Sequence, residues 1–165
     1  MQVMTTLPQE NLNDVPQAAR NAEMVGFDMV ATMENRYEPF MPLAAAAIST
    51  KTINIGTAVA IAFPRSPMVV ASTCWDLNNA SGGRFVLGLG PQIKPHNEKR
   101  FSVPWSPPAP RIREYVLALR AIWKNWEHGE KLDFRGEHYT FTLMTPNFVP
   151  VSTHQAPIPV TIAAV

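Results

Sequence analysis

The stretch "ASGGRFVLGLGPQ", Ala80–Gln92, holds four of the eight glycines in this 165-residue chain. How those glycines are read decides the fold. A dinucleotide-binding loop needs G-x-G-x-x-G opening a helix directly after a strand. Gly88 and Gly90 satisfy its first half, but position 93 is Ile and Pro91 follows at once. A phosphate loop of the G-x-x-x-x-G-K-S/T type is absent as well. What remains is an apolar strand, Arg84–Gly90, between two glycine-marked ends. Gly82-Gly83 closes the preceding helix, and Gly90-Pro91 leads out of the strand.

Working outward, short apolar strands alternate with amphipathic helices. Met1–Thr6 reads as a first strand. A helix over 13–26 follows, with Asn13 or Asp14 as N-cap, Pro16 in its first turn and Gly26 as its stop. Phe27–Met33 is a second strand, "PFMPLAAAAIST" a short helix, and Ile53–Ala62 a third strand, apolar on both faces. Ser66 and Pro67 open a helix that runs through Trp75 and Leu77 to Gly82. After Arg84–Gly90 comes a proline-rich loop, Pro91–Pro110. The clearest helix is next: Ile112, Tyr115, Val116, Leu119, Ile122, Trp123 and Trp126 recur at three- and four-residue steps, and Gly129 ends it. "LDFRGEHYTF" predicts a hairpin turning at Arg135-Gly136, and Pro157–Val165 a fifth buried strand.

Strands buried on both faces and separated by single helices imply parallel β/α units. Two architectures accept them, a doubly wound open sheet and part of a (β/α)8 barrel. The barrel needs eight units, in about 250 residues. In either architecture, the loops after the strand C-termini carry the site. That places Gly82-Gly83 on the structural side and Gly88, Gly90 and Pro91 at the functional end.

Composition narrows the function classes. Apolar residues make up 46% and charged residues 16%, which argues for a packed core and against disorder. A net charge of +1 gives no electrostatic reason to expect nucleic acid or an anionic membrane as partner. The single cysteine, Cys74, provides no disulfide framework and points to a reducing, cytoplasmic compartment. No N-terminal basic and apolar pattern of a signal peptide is present, and no apolar run is long enough for a membrane helix. The chain reads as one domain over 1–165.

The strand ends supply the candidate chemistry. After strand two stand Glu34, Asn35, Arg36 and Tyr37, which a solvated loop would also explain. After strand three comes "TAVAIAFPRSP", whose small residues suit either a flat ligand or tight packing. After strand four come Gln92, Lys94, His96 and Asn97. The histidines His96, His128, His138 and His154 lack metal-site spacing, no G-x-S-x-G elbow exists, and Cys74 beside Trp75 reads as a core thiol. Arg111 and Arg113 stand at a helix start, where they could meet an anionic group, though surface ion pairs are the default.

Taken together and in order, "INIGTAVAIAFPRSPMVVAS", "LNNASGGRFVLGLGPQIKPHNEKRF" and "RIREYVLALRAIWKNW", with "AEMVGFDMVAT" running into Glu34, resemble the luciferase-like monooxygenase superfamily, in particular its branch that uses the deazaflavin coenzyme F420. The resemblance runs from about residue 16 to the end. It implies a (β/α)8 TIM barrel of the luciferase-like type, here only about its first five strands, and hence an N-terminal portion of a longer chain.

It also implies a flavin-type ring at the strand C-termini. A bulge near Ala58, Val59 and Ala60, often with a non-prolyl cis peptide, would press on that ring. Gly88, Gly90, Pro91 and Gln92 would line it, and Arg111 would reach the cofactor phosphate. Relatives often carry an acidic residue and a histidine after strand two. Here those places are Glu34 and Asn35, so Glu34 becomes the acid/base candidate, with Arg36 or His96 as helper. The implied function is hydride transfer between F420 and a small organic substrate, in a protein that is a homodimer at full length. FMN-dependent monooxygenation is the alternative within the family, and a non-catalytic binding module the alternative outside it.

Overall fold

The computed structural model describes residues 1–152 and 155–163. His154 and the last two residues of the expected strand Pro157–Val165 lie outside the described residues. The chain forms two compact units. The first takes Met1–Ile61, Thr73–Gly90 and the chain from Gln155 on, and the second takes Ala62–Ser72 and the stretch from Pro91 up to that return.

In the first unit the strands are β1 (Met4–Thr6), β2 (Met29–Thr32), β3 (Asn54–Thr57), β4 (Ala60–Ile61), β5 (Phe85–Gly90) and, after the second unit, β8 (Val160–Ile162). All pairings among them are parallel. β1 pairs with β2 and β2 with β3, while β3 and β4 both pair with β5. Leu89 matches Ala60 of β4 and Ile162 of β8, so β8 takes the opposite edge of β5. Strands thus neighbour one another in the order in which they occur along the chain. A doubly wound sheet reverses its strand order at a switch point. This one does not, and the barrel-type wall is the architecture present.

The helices α1 (Val15–Val25), α2 (Phe40–Ser49) and α3 (Pro67–Ala80) alternate with these strands, α3 entering the first unit at Thr73. Consecutive residues Val30, Ala31 and Thr32 are all fully buried, as a strand covered on both faces requires. Val15, Ala19 and Ala22 form the buried stripe of α1. Gly26 ends that helix in the left-handed region, at φ 93°, with its N–H on Ala22 and Glu23 carbonyls. The expected N-cap differs: Asp14 makes no side-chain cap, and Asn11 instead caps a 3-10 turn, Leu12–Asp14, ahead of the helix.

Two polar groups hold the ends of the unit opposite the strand C-termini. The Glu23 carboxylate accepts the N–H groups of Lys51, Thr52 and Ile53 and the Thr52 hydroxyl. Burial works against its charge, yet those donors prevail and hold its pKa at about 2. Arg84 donates to the carbonyls of Ser81, Ile53, Ala47 and Thr50 and to the Thr50 hydroxyl. Gly82 and Gly83, at φ 65° and 85°, make the turn before it. The glycine pair on this side is structural, as expected from its place before the strand.

The second unit contains α4 (Pro108–His128) and the hairpin β6 (Phe134–Arg135) and β7 (Thr140–Phe141). All seven apolar positions read from the helical periodicity are buried. Trp123 donates its indole N–H to the Ala71 carbonyl at 3.2 Å, and Gly129 stops the helix at φ 68°. The proline-rich loop is more ordered than its composition suggests, with one π-helical turn at His96–Arg100.

Candidate active site at the strand C-termini

The expected third strand, Ile53–Ala62, is broken into β3 and β4, and the break is the central feature of the strand ends. β3 pairs Ile55 with Phe85 and Gly56 with Val86; β4 pairs Ala60 with Leu89 and Ile61 with Gly90. Between these matches Thr57, Ala58 and Val59 stand opposite Leu87 and Gly88 alone. One extra residue is accommodated there, which is a β-bulge. The peptide bond joining Ala58 and Val59 is cis.

The bulge is gripped on the β2 side by backbone and carboxylate together. Ala58 donates to the Thr32 carbonyl at 2.7 Å, and the Glu34 N–H donates to the Val59 carbonyl at 3.2 Å. The Glu34 carboxylate accepts the Ile61 N–H at 2.7 Å. Glu34 is half-buried, and so are Ala58 and Val59, while Ala60 is fully buried. Neighbouring Glu38 has a different task, capping α2 through the N–H groups of Phe40 and Met41. Exposed Asn35 turns its carbonyl oxygen back to the Arg36 N–H.

The glycines of β5 explain themselves by what stands beside them. A Cβ at Gly88 would run into the Thr57 carbonyl oxygen, and one at Gly90 would lie 2.8 Å from Val59 Cγ2. Both absent side chains therefore make room for the bulged chain. At Gly88 the neighbour is backbone, and at Gly90 it is the Val59 side chain. Sequence reasoning also missed Thr57 and Thr32. Both are polar and fully or nearly fully buried; Thr32 donates its hydroxyl to the Pro39 carbonyl and Thr57 donates to the Gly88 carbonyl. A threonine inside an otherwise apolar strand was the available signal.

The remaining sequence candidates belong to the second unit. Gln92 has φ 60°, and its side-chain oxygen accepts the Ile93 N–H. Fully buried Asn97 donates to the carbonyls of Pro91 and Ile93, fastening the loop on either side of Gln92. His96 is half-buried, with Nδ1 buried and lacking a hydrogen-bond partner among the described residues. Arg111 lies over the Phe63 ring at 4.4 Å and donates to the Tyr139 hydroxyl, the Pro104 carbonyl and Ser106. Glu114, three residues on, accepts the N–H groups of Glu137, His138 and Tyr139. A Cβ at Gly136 would strike that carboxylate. Arg111 and Glu114 thus organise the loops around α4.

Elsewhere, Cys74 is fully buried and burial pushes its thiol up, in keeping with a core thiol. Among the described residues, no helix is long and apolar enough to cross a membrane.

The family model described as luciferase-like monooxygenase matches residues 1–165. An uncharacterized protein of Mycobacterium tuberculosis is 53% identical over 149 residues, which are 90% of this chain and 44% of that protein. Another protein of the same organism, provisionally named a coenzyme F420-dependent oxidoreductase, is 32% identical over 140 residues, 82% of this chain and 38% of the relative. Among solved structures, the oxygenating constituent of 3,6-diketocamphane monooxygenase from Pseudomonas putida, in complex with FMN, superposes with a TM-score of 0.74 at 18% identity, over 97% of this chain and 51% of that one. The chain therefore spans about half the length of the proteins it matches.

Proposed function

The chain belongs to the luciferase-like monooxygenase family, whose members include F420- and FMN-dependent enzymes, and from that premise we propose that the full-length protein is an oxidoreductase using deazaflavin F420 for hydride transfer to or from a small organic substrate. Residues 1–165 are read as a portion of a single barrel domain.

The observation that carries this reading is the bulged segment Ala58–Val59 at the C-terminal ends of parallel strands. It offers small apolar side chains, half-exposed, beside one carboxylate. Such a surface fits the face of a flat ring: it has no bulky group to hold the ring away and no charge on the contact itself. When bound, the deazaflavin would supply a hydride acceptor or donor. Ala58 and Val59 orient the ring, with buried Ala60 fixing the segment against β5 and Gly88 and Gly90 letting the bulge stand where it does. Glu34 holds or moves a proton at the substrate, since Asn35 beside it cannot exchange one at neutral pH. Cofactor contacts from Pro91, Gln92 and Arg111, and a proton-carrying role for His96, are separate parts of the proposal, each open to its own substitution.

F420 is favoured over FMN by the 32%-identical relative. FMN-dependent oxygen insertion is the second reading, supported by the likeness to an FMN-bound monooxygenase. Fluorescence titration of the full-length protein with both cofactors decides between them. We expect tighter binding of F420, while equal binding, or none of either, defeats the assignment.

A further inference from the structure

The β5 side of the bulge is held by a side chain rather than by a backbone ladder. Leu87 donates its N–H to Pro159, and the Leu89 carbonyl accepts from Ala163, so those residues direct their backbone groups toward β8. The intervening residue, Gly88, directs its N–H and carbonyl the other way, toward the bulge. There the extra residue has carried the β3 backbone out of register. The Thr57 hydroxyl takes its place: Oγ1 donates to the Gly88 carbonyl at 2.7 Å and accepts the Gly88 N–H at 2.9 Å. One hydroxyl is donor and acceptor at once, which neither a methyl nor a carboxylate can be at neutral pH. Thr57 is 2% exposed, so water cannot substitute for it.

From this we infer that Thr57 is a positioning residue of the cofactor wall. Its hydroxyl sets how far the Ala58–Val59 face stands from β5, and through that placement it sets affinity for the ring. The inference rests on the proposed cofactor reading. Gly88 is the matching half of the device, because its missing Cβ is what lets the Thr57 carbonyl approach.

Replacement of Thr57 by valine keeps the shape and removes the hydroxyl, leaving two buried backbone groups without partners. Replacement by serine keeps both hydrogen bonds. In the full-length protein, fluorescence titration with F420 and with FMN, together with a thermal melt, separates the roles. T57S is expected within about threefold of wild-type affinity, and T57V at least tenfold weaker for the cofactor that wild type prefers. Leu43→Val, a core substitution on α2, serves as the control for general destabilisation, with a lowered melting temperature and unchanged affinity. Should T57V fail to melt cooperatively, Gly88→Ala carries the test, since it keeps the hydroxyl but displaces the Thr57 backbone, and the same tenfold loss is expected.

T57V or G88A binding as tightly as wild type overturns the positioning role alone. So does an affinity loss in Leu43→Val equal to that in T57V. A wild type that binds neither cofactor overturns the functional reading and this inference with it.

Discussion

Glu34 meets the bulge twice, through its amide and through its carboxylate, and the two contacts make different demands on a substitution. Glutamine retains an oxygen that can accept the Ile61 N–H but cannot carry a proton, whereas alanine loses the hydrogen bond as well. Glu34→Gln should therefore reduce turnover at least tenfold with cofactor affinity within a few-fold of wild type. Glu34→Ala should lower both. Steady-state kinetics alongside a binding titration check this, and full turnover in Glu34→Gln removes the residue from proton transfer. At this scale the sequence identified the carboxylate but not its grip. Glu34 and Glu38 lie four residues apart in one polar loop, and nothing local says which one caps α2 and which one turns to the bulge. Arg111 taught a similar lesson. Its position at the start of α4 was legible, but Phe63 and Tyr139, which stack on it, are 48 and 28 residues away in the chain.

Elements were recovered largely by their apolar period, and missed where the backbone departs from regularity without changing residue type. The third strand is the clear case. Ile53–Ala62 is apolar apart from Asn54 and Thr57, and its period gives no sign of a bulge; the family resemblance implied one near Ala58–Ala60, and the register against β5 places it. The opposite ends of the strands carry a prediction of their own. Glu23 titrates at about 2 against an ordinary 4.5, so the folded protein takes up its proton less readily than the unfolded chain. Its contribution is fully present above pH 4.5 and is lost as pH falls toward 2. Glu23→Gln should lower the melting temperature at pH 7 by a few degrees, on the order expected for loss of a surface-accessible charged cap. Melts between pH 5 and 2 should show a shallower loss of stability in the variant than in wild type. Parallel pH dependences would show that Glu23 contributes nothing through its charge.

At the scale of the whole molecule, consecutive strand order separated the barrel-type wall from a doubly wound sheet, a choice the β/α alternation left open. Helix α2 has no charged residue from Phe40 to Ser49, and its outer face shows Met41 at 58% and Ile48 at 80% exposure. A helix apolar on every side calls for cover on every side. The homodimer that the family resemblance implies for the full-length protein remains a proposal, and this exposed face is one place to test it. Ile48→Lys should shift the mass measured by light scattering from dimer to monomer with the melting temperature of the fold retained. A monomeric wild type, or a dimer unaffected by Ile48→Lys, counts against that face.

By itself the sequence determined the class of fold, the Gly26 stop of α1, the burial stripe of α4, the structural turn at Gly82-Gly83 and the failure of Gly88-Leu89-Gly90 as a phosphate loop. These follow from period, propensity and motif, all of which are local. Tertiary structure alone decided why Gly88 and Gly90 are glycines and which hydroxyl bridges the break in the third strand, whose place near Ala58–Ala60 the family resemblance had implied. Each of those depends on the approach of two segments about 30 residues apart in the chain, and no local pattern encodes that distance. The physical reason is close packing: the space a missing Cβ leaves has meaning only once the neighbour that fills it is known.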